Sequence, residues 1–269
     1  MTVRLFPWLN HRGRRAEQRH SLDPVEVALI EPNRHSDADD GLEEHETTSC
    51  GRSGISQRWI LAFLLHTGLA VCYAMRVSIS VAAAPPSTLH SNSTNYSNAT
   101  MYTEYGWSNT DEGVVLGSFF QGYILTQTLS AVAARRFGGK AVLATSMVCG
   151  CVLTCATPIV AGNMAMLVTV RTWLGVVQGA AYPATLTMVA KWYTPNERAS
   201  FLGFIIAGPY LGEALTFPLA PLVMESSLGW PYIFYFMSII GTVWVLLFLS
   251  LTASSPEQHA YISIQEKKW

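Results

Sequence analysis

Polar and apolar positions divide this chain sharply. Residues 1–58 are polar, and six long apolar runs follow, at about 59–81, 114–134, 141–160, 164–190, 201–223 and 231–251. Each run holds about 19 residues or more, enough to cross a hydrocarbon core about 30 Å thick as a helix. The pattern predicts an all-α membrane protein with six transmembrane helices.

Composition agrees. Apolar residues make up 50% of the chain and charged ones 13%, an imbalance that argues against a soluble domain around a single core. Positions of the basic residues predict orientation, because short loops rich in Lys and Arg stay cytoplasmic. Arg135, Arg136 and Lys140 follow span two, Lys191 and Arg198 follow span four, and Lys267 and Lys268 close the chain. The alternate loops, 82–113, 161–163 and 224–230, carry neither Lys nor Arg, so both termini are expected in the cytoplasm. The loop at 82–113 also holds three N-x-[ST] sequons at Asn92, Asn95 and Asn98, which are useful only on a lumenal or extracellular face.

Residues 1–58 contain eight Arg, ten acidic residues and four His with few contiguous apolar positions, so the sequence predicts a disordered cytoplasmic tail there. The expected organisation is that tail, a bundle over 59–251 with the glycosylated loop 82–113, and a further cytoplasmic segment at 252–269. Cys151 and Cys155 share a helix face, but no His or carboxylate joins them, and no metal site is expected. Without a nucleophile and base set, a phosphate loop or a metal cluster, an enzyme is not expected either. The lipid bilayer is the obligatory partner, and none of these features points to nucleic acid.

Charged positions inside the runs carry the functional signal. Of seventeen basic residues only Arg76 and Arg171 fall within them, and a charge at membrane depth costs about 2.5 to 3.5 kcal/mol, so it faces a partner or a wet cavity. At 1.5 Å per residue both lie roughly 10 to 12 Å below the outer surface, and Glu213 in span five lies at roughly 15 Å. One layer therefore gathers two cations and one carboxyl group, and the implied ligand is an anion. Pairing of Arg171 with Glu213, and snorkelling of either arginine, are the alternatives. Arg171, Leu174, Gln178 and Thr185 fall on one side of span four and are expected to line a pore. Gly175 and Gly179 form a GxxxG, as do Gly208 and Gly212 in span five, and Pro209, Pro218 and Pro221 mark span five as broken beside a cavity or joint.

At these residues the chain resembles a known family. The stretches Tyr73 to Ala82, Gly117 to Gln127, Phe137-Gly138-Gly139-Lys140, Asn196-Glu197-Arg198 and Gly229 to Phe236 are similar to the anion:cation symporters of the major facilitator superfamily, the group of sialin and of the vesicular glutamate and nucleotide and sodium-phosphate transporters. The resemblance covers about 59–269 and implies the amino-terminal half of a twelve-helix carrier working by alternating access. By resemblance, Arg76 and Arg171 match arginines that recognise an organic anion, with Gln178 and Tyr123 as further substrate contacts. Arg135, Arg136, Gly138, Gly139 and Lys140 match the cytoplasmic loop that braces the two halves, with Arg135 where the usual acid stands. Gln178 and Leu186 replace a glutamate and a histidine of proton-driven relatives, and Leu116 replaces a histidine of glutamate transporters. Glu213 is the candidate to take over proton coupling. No cofactor is implied, and the coupling ion is H+ or Na+.

Two functions follow. The first is a secondary active transporter of organic anions, incomplete as given, whose ligand is a small organic or inorganic anion and whose missing wall comes from a complementary six-helix half. The second is a half-length membrane interaction protein that pairs with itself or with a full-length carrier. The sequence leaves the membrane open among lysosomal, vesicular and plasma membranes.

Overall fold

Helix α1 (Gln57–Ala82) begins the described part of the chain, which a computed structural model gives for residues 57–85, 100–226 and 228–253. There follow the short α2 (Met101–Tyr105), then α3 (Asn109–Phe137), α4 (Gly139–Val160), α5 (Met164–Gln178), α6 (Ala181–Trp192), α7 (Pro195–Glu225) and α8 (Pro231–Leu251). The described residues contain no strand. All of them belong to one compact unit spanning 53–269, while the unit at 1–52 lies outside the described residues, as do Asn92, Asn95, Asn98 and 254–269.

Helix ends follow local chemistry. Ser108 caps α3 in a reciprocal box with Asp111, which satisfies two otherwise orphaned N–H groups. Gly138 separates α3 from α4 at φ 92°, a conformation that favours glycine, and Gly139 lies so close to α6 that a Cβ there would come within 2.6 Å of the Ala184 carbonyl oxygen. Both members of the Gly138-Gly139 pair thus have a steric reason to be glycine.

Five stretches are long and apolar enough to cross a membrane: α1, α4, α5 with α6, α7 and α8. The sixth expected span, α3, matches them with 29 residues but is more polar, since Ser118, Gln121, Thr126, Gln127, Thr128 and Ser130 interrupt it. Two boundaries also shift. Gln57 and Arg58 belong to α1 and not to the tail, because Arg58 is tied to Glu197 at 3.0 Å and its carbonyl accepts the Tyr193 hydroxyl at 2.7 Å. The loop at 82–113 is not wholly irregular, since α2 and the first turn of α3 fall within it; Trp230 Nε1 donates to Glu104 at 2.6 Å and holds α2 to the start of α8.

Small residues set the packing. The most extensive helix pairs are α1 with α7 and α3 with α5, and each closes through a GxxxG. Gly208 and Gly212 lie directly on the carbonyls of His66 and Ala70, while Gly175 lies on that of Phe119 and Gly179 on that of Tyr123. Without a hydrophobic drive between helices in lipid, such backbone approach is what allows dispersion contacts to accumulate. Two buried apolar clusters fill opposite ends of the bundle, one around Leu65, Met147 and Phe248, the other around Ile79, Trp107 and Phe234. Between them lies a thin layer of Ala74, Met75, Cys151 and Met237.

Candidate functional site

Arg76 lies within the last two turns of α1, next to that thin layer. Its guanidinium carbon is 4.5 Å from the ring centre of Phe120, 4.8 Å from Phe119, 5.2 Å from Tyr73 and 5.6 Å from Tyr123. Each ring attracts the cation through its quadrupole, by about 0.5 to 1 kcal/mol where water has access and more where it does not. Aromatic faces hold the group in place without neutralising it. The single ion pair among the described residues is Arg58 with Glu197, at the other end of α1, so Arg76 has no carboxylate against it.

Arg171 has different surroundings. It is 2% exposed, its Nη2 donates to the Arg76 carbonyl at 3.4 Å, its guanidinium lies 5.4 Å from the Phe119 ring, and its Nε has no partner. The alternative, a pairing with Glu213, does not occur. Arg171 instead braces the backbone of α1 at Arg76 and adds a second positive charge beside Phe119. Two cations thus lie close to one ring.

Tyr123 joins the same group by stacking on Phe119 at 5.7 Å, and Tyr73 meets Tyr182 of α6 edge-on at 6.1 Å. The structure therefore brings together Arg76, Arg171 and Tyr123 of the residues expected from sequence. It adds Tyr73, Phe119, Phe120 and Tyr182, to which sequence reading assigned no role. Helical spacing held the signal, since Tyr73 and Arg76 stand three apart and Phe119 and Tyr123 four apart.

The face of span four expected to line a pore is a correction: Arg171, Leu174, Gln178 and Thr185 are all buried inside the bundle. Helix α4 packs over them; the Gln178 Nε2 lies 3.7 Å from where a Cβ on Gly150 would be, and it has no hydrogen-bond partner. Gln178 thus faces α4, away from the rings around Arg76. Glu213 is half-buried on α7, directly after Gly212.

The basic loop between α3 and α4, expected to be cytoplasmic, is occupied within this half. Lys140 Nζ donates to the carbonyls of Leu249 at 3.0 Å and Thr252 at 2.5 Å, closing the end of α8 where orphan carbonyls and the helix dipole favour a cation. Arg135 bonds its own helix at Ala131, Arg136 lies over Phe137, and Arg198 caps α6 through the Ala190 carbonyl at 3.0 Å. Among the described residues no group of three His, Cys, Asp or Glu could hold a metal ion.

Comparison with known proteins gives the arrangement a context. The profile of the Major Facilitator Superfamily matches residues 67–268. The chain is 34% identical over 213 residues to the chloroplastic ascorbate transporter of Arabidopsis thaliana, covering 79% of this chain and 36% of that protein. It is 34% identical over 232 residues to sialin of Ovis aries, covering 80% and 46%. The chain thus spans less than half the length of these relatives. In fold it is similar to a bacterial homolog of the human lysosomal transporter Spinster, with a TM-score of 0.60 at 15% identity over 77% of this chain and 45% of that one.

Proposed function

Because the chain belongs to the Major Facilitator Superfamily, we propose that it forms half of a secondary active transporter for organic anions, with Arg76 as the group that meets the anion. One observation carries this reading: Arg76 and Arg171 both bring a positive charge close to the Phe119 ring, and no carboxylate among the described residues pairs with either. A cation kept in register by aromatic rings, and still free of a counter-ion, is prepared to accept one from outside. Arg76 is partly exposed, whereas Arg171 is buried and acts by fixing the Arg76 carbonyl. Similarity to an ascorbate transporter supports a small organic anion.

In this reading a complementary six-helix half supplies the opposite wall, and alternating access rocks one half on the other. Proton coupling, if H+ is the driving ion, falls to Glu213, which makes no ion pair among the described residues. Both termini lie in the cytoplasm, by the distribution of basic loops.

Saturable binding of radiolabelled ascorbate, sialic acid, glutamate and phosphate to the full chain in lipid nanodiscs tests the site without requiring transport. Arg76→Ala is expected to weaken binding of the preferred anion at least about tenfold, a loss of about 1.4 kcal/mol. Arg76→Lys is expected to recover only part of it, since an ammonium lacks the planar fork that matches a carboxylate. Equal affinity in Arg76→Ala and the unaltered chain would end this reading.

A further inference from the structure

The fourth span is not one helix. Helix α5 ends at Gln178 and α6 starts at Ala181, with Gly179 and Ala180 in a turn between them. The cause lies four residues further on: in an unbroken helix the Gly179 carbonyl would accept the N–H of residue 183, which is Pro183 and has none. The Val177 carbonyl takes the Ala180 N–H at 3.3 Å in a tightened turn. Backbone acceptors left open at membrane depth cost several kcal/mol unless neighbouring groups satisfy them.

Two neighbouring helices do so. Ser146 of α4 donates its hydroxyl to the Val177 carbonyl at 2.6 Å, and Ser130 of α3 donates to the Gly179 carbonyl at 3.3 Å. Ser130 also reaches the Gln127 carbonyl of its own helix at 2.9 Å. A single hydroxyl proton therefore serves two acceptors. If α6 swings away, Ser130 keeps Gln127 and only the Gly179 carbonyl loses its donor, a smaller cost than orphaning a donor and an acceptor together. Gly179, whose absent Cβ would lie 2.9 Å from the Tyr123 carbonyl, lets the turn approach α3 closely enough for this contact.

We infer that Ser130 and Ser146 are positioning residues of a joint in span four, with Ser146 as the fixed support and Ser130 as the contact that is made and released. On one side of the joint α5 carries Arg171 and its bond to the Arg76 carbonyl; on the other α6 carries Tyr182 against Tyr73. Bending at Gly179-Ala180 changes the separation of Tyr182 from Arg76 while Arg171 stays in place. The joint stands independently of what ligand the chain binds.

Amide hydrogen exchange of the full chain in phosphatidylcholine nanodiscs tests this, read at residues 180–185 against the rest of the bundle. Ser130→Ala is expected to speed exchange there about fivefold, the weight of one hydrogen bond, and Ser130→Thr to leave it unchanged. Pro183→Ala returns an N–H to Gly179 and is expected to slow exchange; in that background Ser130→Ala has no further effect. Unchanged exchange in Pro183→Ala, or the same fold-change for Ser130→Ala with and without Pro183, would overturn the joint. Because no anion enters the measurement, its outcome is separate from that of the binding test.

Discussion

Two guanidinium groups face the Phe119 ring, Arg76 at 4.8 Å and Arg171 at 5.4 Å, and burial separates their roles. Arg171 is enclosed with an unpartnered Nε and no carboxylate in reach, an arrangement that costs stability. Arg171→Met is therefore expected to raise unfolding stability by about 1 kcal/mol or more while weakening anion binding, the exchange between stability and activity common at binding sites. Denaturation midpoints in detergent, measured beside the binding titration, check it; a destabilised Arg171→Met would show that the arginine holds the bundle together. Asp111, outside the membrane-spanning stretch, is simpler. The Ser108 backbone N–H at 2.9 Å and the Ser108 hydroxyl at 2.8 Å donate to its carboxylate and hold it below the usual carboxylate range. A depressed folded value means the cap is fully present above about pH 4 and lost as pH falls through that lower value. Exchange in the first turn of α3, corrected for the intrinsic pH effect, is expected to stay level from pH 7 to pH 5 and to rise only under stronger acid. Fraying already at pH 5 would contradict the assignment.

Helix pairs give the next scale its tests. Gly208 and Gly175 each lie directly on a backbone carbonyl of the facing helix, so Gly208→Ala and Gly175→Ala should both overpack and lose about 1 to 3 kcal/mol. Their functional effects should differ. The carbonyl behind Gly175 belongs to Phe119, one of the rings around Arg76, whereas that behind Gly208 belongs to His66, which bonds the Phe204 carbonyl at 2.7 Å. Gly175→Ala is expected to weaken anion binding beyond its stability loss and Gly208→Ala is not; parallel binding and thermal titrations separate them. Both motifs could be read in the sequence, but not which carbonyl each would meet, because a GxxxG says that a helix can approach and not which one does. Span two was harder still: α3 is the least apolar of the long helices, and its polar residues include Ser130, whose partner lies 49 positions away.

Across the whole molecule, apolar side chains remain on the outside: Ile124, Leu125 and Leu129 of α3 are all about 70% exposed, as is Tyr210 of α7. Such a surface suits lipid and, for part of it, a second six-helix half. Topology follows from the loops, and the expectation that 82–113 is lumenal or extracellular has a direct check. Replacing Asn92, Asn95 and Asn98 together by Gln should abolish the mass shift produced by endoglycosidase, and single replacements should each reduce it by one step where that sequon is used. A chain showing no glycan in a glycosylating host would place the loop, and with it both termini, on the opposite side.

Periodicity and charge alone determined that the chain is a helical membrane protein and where its long apolar segments lie, and they singled out Arg76 and Arg171 as its membrane-depth cations. These are properties of one segment at a time: an apolar run must cross lipid as a helix, and a buried arginine needs a reason. Tertiary structure decided what the segments do to one another. It turned Gln178 toward α4, denied Glu213 to Arg171, gave Lys140 to the end of α8, and surrounded Arg76 with rings from two helices. Such pairings depend on which helix faces which and at what rotation, and those are set by close contacts between residues far apart in sequence.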